Sequence, residues 1–215
     1  MKHILCFGDS NTHGYIPGGG RYDMNTRWTG LLARSLGKDF CIHEEGLNGR
    51  TTSLEDPYEP YRNAMEYIIP CLKTHEPLDL TIVMLGSNDM KKHFHPTVEK
   101  IVGALKDLTK IILDVSQTQV LLVSPILLGE GISNSLFADS FPRSSISISR
   151  QLGSSLASAA KELGVYFLDA ATIAAPSERD GLHLEAEGHR KLADAFADKV
   201  LEILGGPYEN SRNYQ

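Results

Sequence analysis

The chain has 215 residues, 41% of them hydrophobic and 22% charged, with a formal net charge of −6, the balance of a water-soluble globular protein. This length supports one large domain, since folding at this size removes roughly 70% of the unfolded chain's surface from water, and the acidic balance gives no footprint for nucleic acid. No apolar run approaches the ~20 residues of a membrane span, and the first ten residues lack the apolar stretch and cleavage site of a signal peptide. The sequence therefore predicts a cytoplasmic protein, away from membranes, that takes a small neutral substrate or an ordinary protein partner.

In chain order, the first apolar run is "HILCF" (3–7), read as a strand buried on both faces, and it breaks off into the turn-forming "GDSNTHGY" (8–15). Further strands are expected at "FCIHE" (40–44), "LTIVML" (80–85), "QVLLVS" (119–124) and "VYFLD" (165–169). In "TVEKIVGALKDLTKIILDV" the apolar positions Val98, Ile101, Val102, Leu105, Leu108, Ile112 and Val115 recur at steps of three and four after Pro96, which predicts a helix. "LLGEGISNSLFADSF" (127–141) reads as a long loop. The serine-rich stretch after it keeps Ile148, Leu152, Leu156, Ala159 and Leu163 at helical spacing, so it is expected to be an amphipathic helix with serines outside. A closing helix carries Leu192, Phe196, Val200 and Ile203 and is stopped by Gly205-Gly206-Pro207, leaving 207–215 as a loose polar tail after a single domain over 1–206. Cys6, Cys41 and Cys71 show no metal-ligand spacing and read as inert core thiols. Strands alternating with helices imply right-handed βαβ units, hence a five-stranded, doubly wound parallel sheet of the α/β class covered on both faces.

In such a sheet ligands bind beyond the carboxyl ends of the strands. The stretches that follow strands one, two, three and five are Gly8-Asp9-Ser10-Asn11, Gly46-Leu47-Asn48-Gly49-Arg50, Gly86-Ser87-Asn88-Asp89 and the loop to Asp180-Gly181-Leu182-His183. They supply the parts of an acyl-transfer site. The Ser10 hydroxyl is a weak nucleophile until a base takes its proton, His183 can be that base, and Asp180 can hold the imidazole in one tautomer. The Asn88 amide and the backbone N–H groups of Ser10 and Gly49 are candidate oxyanion donors.

Gly8-Asp9-Ser10, Gly49, Gly-x-Asn-Asp at 86–89 and Asp-x-x-His at 180–183 resemble, in order, the four blocks of the SGNH, or GDSL-type, hydrolase family. The resemblance implies a three-layer flavodoxin-like fold and ester hydrolysis through an acyl-serine, with Ser10, Asp180 and His183 catalytic, Ser10, Gly49 and Asn88 forming the oxyanion hole, and no metal or cofactor. "GDSNTHGY", "RWTGLL", "EEGLNGRTT" and "MLGSND" further resemble the small bacterial arylesterase and acyltransferase branch. That branch acts on short acyl esters, in part by acyl transfer to alcohols or peroxide, and includes tight oligomers, which leaves a homo-oligomer open here. It often carries an aromatic residue near the nucleophile turn, where this chain has His13 and Tyr15.

Other uses of the same residues set the alternatives. Ser10 alone could be a helix cap; Asp9 and Asp89 read as turn anchors. Trp28 and Tyr15 are candidates for the substrate pocket, although Trp28 with Leu31 and Leu32 also fits a core position. Arg27 and Arg50 could meet an anion or merely pack. His93 and His95 in "KKHFHP" lack a third metal ligand, so no metal is expected there; His189 is expected to be solvated or packed. The competing functions are a carbohydrate O-acetyl esterase or thioesterase of the same family, a flavodoxin-like nucleotide or flavin binder, and an oligomeric structural or acyl-binding protein with a vestigial site.

Overall fold

The computed structural model describes residues 1–205; the expected loose tail at 207–215 lies outside the described residues. Five strands, β1 (Lys2–Gly8), β2 (Phe40–Gly46), β3 (Leu80–Met84), β4 (Gln119–Ser124) and β5 (Tyr166–Asp169), form one sheet in the order β2-β1-β3-β4-β5. Every neighbouring pair is parallel. This is the flavodoxin-like order, with its switch point between β1 and β3. The helices are the single turn α1 (Ser10–His13), α2 (Trp28–Leu36), α3 (Ala64–His75), α4 (Val98–Val115), α5 (Arg143–Leu163) and α6 (Ala186–Leu204).

Two apolar clusters make the three layers. On one face Leu5, Phe7, Val83 and Leu122 pack against Ile68 and Leu72 of α3, Leu105 and Leu108 of α4, and Leu152 and Leu156 of α5. On the other, Ile4, Cys6, Ile82 and Leu121 meet Trp28 and Leu32 of α2 and Leu192, Phe196 and Val200 of α6. Alternate residues of each strand therefore serve opposite faces, as the pleat requires.

The edges depart from the expectation of strands buried on both faces. β1 and β3 are buried along nearly their whole length, whereas β2 is half-buried beyond Phe40 and β5 is half-buried with Tyr166 exposed. Each edge strand has a neighbour on one side alone, so its own residues face water at the rim. The serine-rich helix differs in a second way. Ser145 and Ser149 turn inward; Ser145 donates to the Met90 carbonyl at 2.7 Å and Ser149 accepts from the Leu128 N–H at 3.1 Å, tying α5 to the loops beside the sheet. α4 is capped by Thr97, which accepts from Lys100 N–H, with Pro96 lying just outside. The stretch 127–141 is loop interrupted by a short 3₁₀ turn at Glu130–Asn134, and it buries Ile132 and Phe141.

The register lines up the carboxyl ends of three strands, with Gly8 opposite both Gly46 and Met84. Gly46 is needed there for close approach: a Cβ would lie 2.2 Å from the backbone nitrogen of His13. The chain leaving β2 can therefore press against α1, the turn that begins with Ser10.

Candidate active site

Asp9 builds the first turn. Its carboxylate accepts the Asn11 N–H at 2.9 Å and caps α1, which makes Ser10 the first helical residue instead of the cap. Burial raises the Asp9 carboxyl above its ordinary value, against the Asn11 hydrogen bond. Asn11 then fastens the far end of the chain: its amide donates to the Leu182 carbonyl at 3.1 Å and its oxygen accepts from Leu184 N–H at 3.0 Å. One side chain so joins the nucleophile turn to the segment that carries Asp180 and His183.

Within that segment Asp180 Oδ1 accepts the N–H groups of Leu182 and His183 at 3.0 and 2.9 Å, and Oδ2 stands 2.8 Å from His183 Nδ1. A carboxylate accepts hydrogen bonds and donates none, so Nδ1 carries the proton and Nε2 is left as the acceptor. Nε2 lies 3.0 Å from Ser10 Oγ. All three residues are buried. Burial opposes the charge on Asp180, but the hydrogen bonds from His183 and the backbone N–H groups outweigh it and hold the carboxyl below its ordinary range. A fixed anion behind a correctly presented imidazole can take the serine proton and steady the imidazolium that results.

The donors stand alongside. A turn after β2, closed by Arg50 N–H on the Leu47 carbonyl at 3.1 Å, holds Gly49 at φ +76°, a conformation that favours glycine. Asn88, in the turn after β3, donates one amide hydrogen to the Arg50 carbonyl at 3.1 Å, which orients its second hydrogen-bearing position. Asp89 anchors that turn by accepting the Thr52 N–H with both oxygens, and burial pushes its carboxyl up to about 6. Ser10, Gly49, Asn88 and His183 all line one cleft of about 400 Å³.

The cleft has two unlike halves. Tyr15 and Phe137 pack on the His183 ring, with centroids 4.4 and 5.2 Å away, and Phe141 and Leu182 extend this apolar wall. The polar lining comes from elsewhere in the chain: Lys91 Nζ donates to Asp56 Oδ2 and Glu59 Oε2, each at 2.7 Å, and His93 stands 3.4 Å from Asp56. Asn48 also lines the cleft, and its buried Oδ1 bonds none of the described residues.

Tyr15 thus reaches the pocket, and Trp28 does not. Trp28 is fully buried in the core on the α2–α6 face, its ring 4.5 Å from Phe196 and its indole N–H donating to the Asn11 carbonyl at 3.1 Å. Its spacing with Leu32 served packing. The two arginines are structural as well: Arg27 forms a two-pronged pair with Glu44, and Arg50 lies 4.1 Å over the Phe7 ring while donating to the Gly8 and Glu45 carbonyls. His189 is packed and not solvated, its Nδ1 accepting the Trp28 N–H at 3.3 Å. The thiols of Cys6 and Cys71 are buried and pushed up, that of Cys71 to about 12, as core thiols would be, whereas Cys41, on the edge strand, is half-buried and not a core thiol.

The polar wall was missed from sequence. Asp56 and Glu59 fall in "EDPYEPY", where nothing marks them, and Lys91 and His93 belong to the run considered for metal. Phe137 carried no distinct signal, being one of several apolar residues in the 127–141 loop, beside Leu136 and near Ile132 and Phe141.

The family model of GDSL-like lipases and acylhydrolases matches residues 6–191. The chain belongs to this family. Among solved structures of the GDSL-like family, the inhibitor-bound aryl esterase of M. smegmatis is similar at 35% identity and a TM-score of 0.91, over 94% of this chain and 100% of that one. Est24, a carbohydrate acetylesterase from Sinorhizobium meliloti, is similar at 36% identity and a TM-score of 0.90, over the same shares. No curated protein sequence matches the chain. The five-stranded parallel sheet with helices on both faces is the fold of these hydrolases, and the protein is a carboxylic ester hydrolase.

Proposed function

We propose that the enzyme hydrolyses short-chain carboxylic esters through an acyl-serine at Ser10. The observation that carries the reading is the unbroken chain Ser10 Oγ to His183 Nε2 at 3.0 Å and His183 Nδ1 to Asp180 Oδ2 at 2.8 Å, opening onto the cleft that holds Gly49 and Asn88. Ser10 Oγ attacks the ester carbonyl carbon as its proton passes to Nε2. The carbonyl oxygen becomes an oxyanion among the N–H groups of Ser10 and Gly49 and the Asn88 amide. The bond to the alcohol then breaks, and the imidazolium returns its proton to the leaving oxygen. Water repeats the sequence on the acyl-serine: it gives a proton to Nε2, attacks the carbonyl carbon, and Ser10 leaves reprotonated as the acid is released. An alcohol in the place of that water would give transesterification by the same steps. No step draws on a metal or cofactor. The three free cysteines suit the reducing cytoplasm, where we place the enzyme.

Acyl chain length is the test. Tyr15, Phe137 and Phe141 crowd the His183 side of the cleft, so p-nitrophenyl acetate and propionate are expected to exceed the octanoate in kcat/KM by at least tenfold. A preference for octanoate would contradict the short-acyl reading, while loss of activity in Ser10→Ala would still uphold the nucleophile.

One observation favours a hydroxyl-rich alcohol half, as in sugar O-acetyl esters. Glu59 lines the cleft with 44% of its side chain exposed and is held by Lys91 Nζ, which also binds the buried Asp56, so a charged, hydrogen-bonding group faces the cleft there. Glu59→Gln is then expected to raise KM for an acetylated monosaccharide more than for p-nitrophenyl acetate; equal effects on both would set this second reading aside.

A further inference from the structure

Away from the cleft, two imidazoles and a thiol meet at the sheet edge. His3 on β1 lies beside Cys41 on β2 in the parallel register, and His43 follows Cys41 by two residues, so all three share a face. Their donor atoms lie within 4.8 Å of one another, and each residue is half-buried. His3 Nδ1 and His43 Nε2 are 3.1 Å apart, close to the roughly 3.3 Å edge of a tetrahedron whose metal–nitrogen bonds are about 2.0–2.1 Å. A hydrogen bond between two neutral imidazoles accounts for the pair alone; it gives no reason for a thiol to stand with them.

We propose that His3, Cys41 and His43 form a transition-metal site that takes zinc, with two imidazole nitrogens, one thiolate and a fourth position open to water. Imidazole and thiolate are the ligands zinc prefers, and partial exposure lets the ion enter. On binding, Cys41 releases its proton to solvent and forms the sulfur–metal bond, with no change of oxidation state. A second group, Glu45, Cys71 and His75, lies next to the first, the rings of His43 and His75 being 4.5 Å apart. It is less suited, because Cys71 is buried and the Glu45 carboxylate already holds His75 at 2.9 Å and the Tyr67 hydroxyl at 3.2 Å. The first site clips edge strand β2 to β1. Roughly 17 Å of strand, at about 3.3 Å per residue, separates His3 from Gly8 at the catalytic end, so the metal has no part in ester chemistry.

The test uses the whole enzyme, titrated with Co²⁺ and separately dialysed against Zn²⁺ before metal analysis. One ion per chain, a thiolate-to-cobalt charge-transfer band with tetrahedral cobalt absorption, and a raised Tm in zinc are expected. Cys41→Ser is expected to lose the band, and His43→Gln to lose stoichiometric metal, with ester hydrolysis at the wild-type rate in each. His75→Gln is expected to bind as wild type does. Absence of the charge-transfer band in the wild type, or loss of binding in His75→Gln with retention in His43→Gln, overturns the assignment, and neither result depends on whether Cys41→Ser folds.

Discussion

His183 and His189 stand on either side of the start of α6 and are used in opposite ways. His183 is bonded through both ring nitrogens and faces the cleft, whereas His189 is sealed among Trp28 and Tyr22 with its Nε2 bonded to none of the described residues. Burial first, and then the nearby His183, lower the pKa of His189 from 6.5 to about 4. Between those values the unfolded chain binds a proton that the folded state refuses. The stability is present above pH 6.5 and is lost as pH falls toward 4, by about 3 kcal/mol in all. Asp89 acts with the opposite sign, because its raised carboxyl takes up a proton in the folded state first and stabilises as pH falls. Urea titrations of wild type against His189→Asn across this range isolate the histidine: the variant is expected to lose less stability on acidification, and parallel profiles would contradict the burial argument. At the oxyanion position, Asn88→Ala is expected to lower kcat by about 10² to 10³-fold with KM little changed. A change confined to KM would make Asn88 a binding group.

At the scale of elements, the contact of α2 with α6 decides how Trp28 is read. Trp28 against Phe196 is core packing, so Trp28→Ala is expected to cost about 3–5 kcal/mol in denaturant unfolding while the folded fraction keeps its kcat. A loss of turnover with unchanged stability would return Trp28 to the pocket. The periodicity of α4 and α6 was plain in the sequence because each has a single apolar stripe facing one sheet. The half-exposure of β2 was not plain, since an edge strand and a central strand can carry the same apolar letters; the neighbour that is missing leaves no mark on the chain. The inward turn of Ser145 and Ser149 was hidden likewise, because a serine that satisfies a loop carbonyl or N–H reads as a surface residue until the loop is in place.

Across the whole molecule, strand–helix alternation carries the three-layer fold, and the rule that sites form beyond carboxyl strand ends gathers Ser10, Gly49, Asn88, Asp180 and His183 at one edge of the sheet from the sequence alone. The pocket wall escaped because Asp56, Lys91 and Phe137 come from separate connections whose meeting is fixed by tertiary packing, with no spacing to betray it. The site thus depends on residues far apart in sequence being held by the sheet, with Asn11 as the strap between its two ends. What most directly tests this arrangement is rapid-quench mass spectrometry of the enzyme turning over p-nitrophenyl acetate, with peptide mapping. An acetyl group on the peptide containing Ser10, absent in Ser10→Ala and with turnover reduced about 10⁴-fold or more in that variant, is the predicted result; acetylation elsewhere, or turnover undiminished without Ser10, would contradict it.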